Sequence, residues 1–237
     1  MTPEEIKNVC DKERYDIDDL RAVFAYLRSE RGCPWDREQT HETIRSNLIE
    51  ETYEVIEAID RRDAHLMREE LGDLLLQVLF HSYIEEEAGQ FTFDDVVSDI
   101  TAKLVHRHPH VFGEVSAEGA AAALDAWEAA KKKEKTERRT TADALRAVPP
   151  SLPAVMRAQK LISKARRAGV DVSRIASGIT DAAARVNDAL LSPASGESAA
   201  DAVADILFSA AGAADALKID AEEALSRRSD AFIAECE

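Results

Sequence analysis

Between residues 40 and 90 the chain repeats apolar positions at helical spacing twice over. The first stretch aligns Ile44, Leu48, Val55 and Ile59 on one face, with Glu51 set into the stripe where a core wants hydrocarbon. The second aligns Leu66, Glu70, Asp73, Gln77, Phe80 and Ile84, with Leu71, Leu74, Leu75, Val78 and Leu79 around them. These spacings predict helices over about 40–60 and 64–88, joined by the charged Asp60–Asp63 stretch and closed by Gly89. Ahead of them, Leu20, Phe24 and Leu27 predict a helix over about 18–30, ended by a turn at Gly32-Cys-Pro-Trp-Asp36. Residues 1–17 read as a polar, fraying extension. Behind them, Thr92 or Asp94 caps a helix over about 93–106 that Pro109 stops, and a last helix covers about 117–135. Four helices with short connections predict a bundle.

The pattern then changes. Residues 136–153 are charged, then threonine-rich, then carry Pro149, Pro150 and Pro153, as an interdomain linker does. From 154 to 237 the chain is helical again and richer in alanine, and Ala204-Asp-Ile-Leu-Phe208 echoes Gly72-Asp-Leu-Leu-Leu76. The reading is an all-α protein of two tandem helical units, 18–135 and 154–237, the second an eroded copy of the first.

Composition agrees: aromatics make up 5% of the chain and only 9 of 237 residues are glycine, which suits helices. A formal charge of −16 argues against nucleic acid or an anionic membrane as partner, since both require clustered positive charge. Solubility is the ordinary reason for such acidity. The first residues lack the apolar core of a signal peptide and no apolar run reaches spanning length, so a cytoplasmic protein is expected. Cys10, Cys33 and Cys236, without CxxC spacing, are expected as free thiols.

Charge matters most where it interrupts the apolar faces. Glu51 and Glu54, and again Glu70 and Asp73, are i, i+3 pairs, so two neighbouring antiparallel helices would converge four carboxylates on one point. Desolvated and mutually repelling, such groups need compensation, and hard divalent cations supply it. Di-iron bundles use Glu-x-x-His, whereas here the spacing is Glu-x-x-Asp, and an all-oxygen set favours Mg²⁺, with Mn²⁺ as a substitute. In a chain this charged, the ordinary alternative is a solvated helix face. Lys103 and Arg107 at i, i+4, and Lys131 four residues after Trp127, are cations suited to phosphate, though Lys131 also belongs to a basic run. Trp35 and Trp127 serve packing or stacking on a base. His106, His108 and His110 straddle a helix-breaking proline, which leaves at most one of them facing a phosphate. No phosphate-binding glycine loop or dinucleotide fingerprint occurs.

Taken together, Gly32-Cys-Pro-Trp-Asp36 with Glu38-Gln-Thr40, Glu50-Glu-Thr-Tyr-Glu54, Glu70-Leu-Gly-Asp-Leu-Leu75, Arg107-His-Pro-His-Val-Phe112, Trp127-x-x-x-Lys131 and Ser151-Leu-Pro-Ala154 resemble the MazG family. The resemblance implies an all-α, usually dimeric hydrolase that cleaves nucleoside triphosphates (NTP and dNTP) to the monophosphate and pyrophosphate with Mg²⁺. It places the metal on Glu51, Glu54, Glu70 and Asp73. Glu50, about 100° around the helix from Glu51, is an outer or proton-accepting candidate. The second copy departs from the pattern, with Arg185-Val186-x-x-Ala189 in place of Glu-Glu-x-x-Glu and Ala202 in place of the first acid of ExxD. Only Asp205 remains, so that copy is expected to be inert. The alternative is a nucleotide-binding or regulatory module without turnover.

Overall fold

In the computed structural model, which describes residues 2–134, 140–191 and 196–236, every regular element is an α-helix, and no strand occurs among the described residues. The chain divides into two compact units, Met1–Lys132 and Lys133–Glu237.

The stretch expected to fray instead opens with a helix, α1 (Pro3–Cys10). The Thr2 hydroxyl accepts from the Glu5 amide while the Glu5 carboxylate accepts from the Thr2 amide, and Pro3 presets the first turn. This reciprocal cap outweighs the polar composition, and Ile6 and Val9 line an apolar cavity together with Leu20, Val23 and Leu27 of the next helix. That helix, α2 (Ile17–Leu27), starts on a second reciprocal cap between Asp16 and Asp19. The turn expected after it contains a short helix, α3 (Pro34–Glu38), with Pro34 at its first position. A Cβ at Gly32 would run into the carbonyl oxygens of Tyr26 and Leu27, so only glycine fits there.

Helices α4 (Arg45–Arg61) and α5 (Ala64–Glu87) pack against each other as the central pair of the first unit. Asp63 caps α5 by accepting from the amides of His65 and Leu66, and Gly89, at φ +69°, turns the chain away. Thr92 caps α6 (Phe93–Arg107) reciprocally with Asp95. Pro109 ends that helix and opens the single turn α7 (Pro109–Phe112), before α8 (Gly119–Glu134). The core joins α2, α4, α5 and α6 through Phe24, Ile44, Leu79, Phe80 and Phe93, and Phe24 meets Phe80 edge-on at 4.7 Å. Apolar stripes remain exposed at Ile49, Tyr53 and Ile56 of α4, at Leu71, Leu75 and Val78 of α5, and at Val97, Ile100 and Leu104 of α6.

In the second unit the stretch expected as a linker carries α9 (Thr141–Arg146), packed on α10 (Ala154–Arg167); the linker residues 136–139 lie outside the described residues. After the short α11 (Ser173–Ser177) come α12 (Ile179–Leu191), α13 (Gly196–Leu217) and α14 (Ala221–Cys236). Helix α13 contacts α10, α11, α12 and α14. Small residues permit this: Ala182, Ala202 and Ala211 are buried, and a Cβ on Gly212 would come within 2.6 Å of Ile175 Cγ2. Arg166 donates two hydrogen bonds to the buried Asp215, tying α10 to α13.

Candidate metal and nucleotide site

The α4–α5 pair brings the two acidic motifs together. Glu51, Glu70 and Asp73 each present a carboxylate oxygen, all within 4.8 Å of one another. Glu54, one turn after Glu51, hydrogen-bonds to it through the carboxyl groups. Glu70 is only 8% exposed, Glu51 and Glu54 are half-buried, and Asp73 opens to solvent. Burial above all, then the hydrogen bond to Glu54 and the charges of Asp73, Glu54 and Glu70, pushes the Glu51 carboxyl up to about 7. Glu70 is raised as well, by burial and then by Glu54, Glu69 and Asp73.

These groups fit a small hard cation. With Mg–oxygen bonds of about 2.0–2.1 Å, octahedral ligand oxygens lie about 2.9 Å apart when adjacent and about 4.2 Å apart when opposite. Three oxygens within 4.8 Å of one another would draw together on binding such an ion. Its one open member, Asp73, leaves a side for water or phosphate, and a proton retained by the raised Glu51 carboxyl is one that a cation would displace.

A second gathering is cationic. Arg107, at the end of α6, lies 5.5 Å from the Trp127 ring centroid, and Lys131 Nζ lies 4.4 Å from it. Trp127 is half-buried and holds both cations by its π-face. Lys103 is exposed one turn before Arg107, Glu50 is exposed beside Glu51, and Trp35 is 60% exposed on α3. The three histidines do not form one cluster. His106 is exposed, His108 donates from Nδ1 to the Leu104 carbonyl at 2.6 Å, and His110 packs obliquely on His108.

Other polar residues of the first unit escape sequence reasoning. Arg28, 7% exposed, donates to both carboxylate oxygens of Glu87 at 2.8 and 2.6 Å and to the Asp36 carbonyl at 2.6 Å, fastening α3 and α5 to the end of α2. His41 and His81 meet edge to edge through their Nδ1 atoms, with Glu85 beside them, and the buried Oε1 of Gln77 has no hydrogen-bond partner among the described residues. A helical face mixing Glu70, Asp73, Gln77, His81 and Glu85 was a visible signal for the last group; nothing local marks Arg28.

Known proteins point the same way. Residues 39–112, which hold both acidic motifs, match the MazG nucleotide pyrophosphohydrolase domain. The chain is 39% identical over 224 residues to the nucleoside triphosphate pyrophosphohydrolase of Escherichia coli K12, covering 91% of this chain and 84% of that protein. It is 35% identical over 217 residues to the nucleoside triphosphate pyrophosphohydrolase/pyrophosphatase MazG of Thermotoga maritima, covering 92% and 82%. To the nucleoside triphosphate pyrophosphohydrolase of Mycobacterium tuberculosis it is 45% identical over 166 residues, covering 68% and 48%. Matching that domain across both acidic motifs, and related over most of its length to the Escherichia coli and Thermotoga maritima proteins, the chain belongs to the MazG family of nucleotide pyrophosphohydrolases.

Proposed function

We propose that this chain hydrolyses nucleoside triphosphates to the monophosphate and pyrophosphate in the presence of Mg²⁺, using the carboxylate cluster between α4 and α5. The observation that carries the reading is the convergence of Glu51, Glu70 and Asp73 oxygens within 4.8 Å, with Glu54 hydrogen-bonded to Glu51. Glu51, Glu54, Glu70 and Asp73 would hold the ion, and Mn²⁺ would substitute. When bound, Mg²⁺ supplies charge neutralisation at phosphoryl oxygens and a water of lowered pKa.

The remaining work falls to the protein. The buried Glu70 and half-buried Glu51 fix the cluster against the α4–α5 core, and the open Asp73 marks the side from which substrate enters. Arg107 and Lys131, gathered on Trp127, neutralise phosphate charge and assist departure of pyrophosphate, with Lys103 adding attraction from solvent. Glu50 serves at most as an outer proton acceptor. Trp35, exposed on a short tethered helix, is available to stack on a base. The exposed apolar stripes of α4, α5 and α6 support a homodimer, because such surface on a water-soluble chain is normally covered. The second unit is a degenerate copy in which α12 and α13 stand for α4 and α5. Arg185 Nη2 donates to Asp205 Oδ2 at 2.7 Å, so a guanidinium answers the one retained acid.

A panel of ribo- and deoxyribonucleoside triphosphates, assayed with and without Mg²⁺ for pyrophosphate and monophosphate, tests the reading. Equimolar release of both products, dependent on the metal, is expected. Release of orthophosphate would relocate the cleavage, and a folded protein that binds nucleotide without turnover would establish the binding-module alternative.

A further inference from the structure

His81 lies eight residues beyond Asp73 on α5, about 12 Å further along the helix axis, and takes no part in the carboxylate cluster. Its ring meets that of His41 edge to edge, with centroids 5.0 Å apart and planes within 9°. The two Nδ1 atoms are 2.7 Å apart, and His41 Nε2 is 2.8 Å from Glu85 Oε1. His81 Nε2 is buried and has no hydrogen-bond partner among the described residues.

Proton counting fixes this arrangement. The Glu85 carboxylate accepts, so His41 Nε2 carries a hydrogen. With both rings neutral, His41 Nδ1 is then bare and accepts from His81 Nδ1–H, giving a chain from His81 through His41 to Glu85. One added proton can sit on His41 Nδ1 only if His81 moves its own hydrogen to Nε2, which has no acceptor. A fourth ring proton puts two N–H groups head to head across 2.7 Å, and the contact cannot survive.

His41 belongs to the turn that leads into α4. Thr43 Oγ1 donates to Gln39 Oε1 at 2.8 Å, Gln39 Nε2 donates to the Trp35 carbonyl at 2.9 Å, and Ile44, next in the chain, is a core residue. Whatever fastens His41 to α5 therefore fastens the whole segment from α3 to the start of α4. Glu42 in the turn adds a negative charge near His41 and its carboxylate accepts from Thr40 Oγ1, while Arg28 of the α2 end reaches the Gln39 carbonyl and is engaged by Glu87 of α5.

We propose that His41, His81 and Glu85 form an acid-sensitive clasp that fastens the turn ahead of α4 to α5 and opens when both rings become doubly protonated. Burial and the neighbouring His41 hold the His81 imidazole below its ordinary value, in the direction the clasp requires. The sign follows. A closed clasp that disfavours the proton contributes fully above the ordinary histidine value of ~6.5, and its contribution drains away as the pH falls below it. The clasp is independent of the nucleotide reading and would operate in a chain without turnover.

Ring-nitrogen NMR spectra of the full-length protein labelled with ¹⁵N-histidine test it, together with amide exchange at Thr40, Thr43 and Ile44, whose N–H groups are bonded within the turn. At pH 8 His41 is expected as the Nε2–H tautomer and His81 as the Nδ1–H tautomer. On acidification, the protection factors of those amides should fall about tenfold per pH unit over the range in which His81 gains its second ring proton. His81→Asn keeps an N–H near the Nδ1 position, so it should retain protection at neutral pH yet lose the acid step. Doubly protonated His41 and His81 with the turn still protected would overturn the proposal, as would a hydrogen on His81 Nε2 at pH 8. Both of these outcomes are read from the unsubstituted protein, so the test stands even if the variant fails to fold.

Discussion

At Glu51 two demands oppose each other: α4 wants an apolar residue against α5, and the cluster wants an anion. Without metal the first prevails, and the carboxyl holds its proton up to about pH 7. The stability consequence has a definite sign. A carboxyl whose folded value lies above its unfolded one stabilises fully below about 4.5 and loses that contribution as the pH rises through about 7. Glu51→Gln, neutral at every pH, should therefore leave metal-free melting unchanged near pH 4.5. Above pH 7 it should raise Tm by about 2–4 °C, the scale of a partly screened ~1 kcal/mol interaction in a chain of this size. In the unsubstituted protein, apparent Mg²⁺ affinity should weaken about tenfold per pH unit as the pH falls below 7, because the metal must displace the proton. Calorimetry with and without Mg²⁺ reads both effects, and a variant that keeps its full metal-induced shift would remove Glu51 from the ligand set. The convergence of Glu51, Glu70 and Asp73 was legible because the acids interrupt stretches whose period called for hydrocarbon. Arg28 and His41 were not, because each is defined by a partner about 40 to 60 residues away.

Among the elements, helical period decided existence and type. The spans expected from spacing over 40–60, 64–88 and 93–106 correspond to α4, α5 and α6, whose ends follow caps at Asp63 and Thr92 and breaks at Gly89 and Pro109. Short elements were less legible: α1 rests on one reciprocal cap, and α3 on a proline presetting a single turn, and neither is long enough to show a period. The same period, read on the outer faces, has a consequence for assembly. Leu71, Leu75 and Val78 repeat at i, i+4, i+7, and Val97, Ile100 and Leu104 at i, i+3, i+7, all exposed. A charge at Ile100, 46% exposed, would change the stability of an isolated chain by no more than about 0.5 kcal/mol. Buried unpaired in a dimer interface, the same charge would cost several times as much. Ile100→Glu is expected to convert a dimer into a folded monomer in sedimentation equilibrium. If the unsubstituted protein sediments as a monomer at micromolar concentration, the stripes serve some other purpose.

Over the whole molecule, each of the two compact units contains a closely packed helix pair, and the chemistry between the helices differs. In the first, α4 and α5 confront acid with acid, the arrangement proposed above to take a cation from outside. In the second, α12 and α13 join Arg185 to Asp205, and the cation is part of the chain. Both partners of that pair are about half-exposed, so it contributes no more than ~1 kcal/mol, whereas the first cluster is the proposed metal site. The contrast gives a matched test, since the same isosteric change can be made at Asp73 and at Asp205. Asp73→Asn removes a ligand oxygen's charge where three other carboxylates depend on a metal, and pyrophosphate release should fall by at least about a hundredfold, with the metal-induced rise in Tm reduced. Asp205→Asn breaks only a screened ion pair, so turnover should stay within about twofold of the unsubstituted protein and Tm within about 4 °C. Steady-state pyrophosphate assays and melting curves on the two variants supply the comparison. An Asp205 variant that folds but loses turnover, beside an Asp73 variant that keeps it, would move the active site to the second unit. Loss in both, with native melting, would mean that neither unit works without the other's acid.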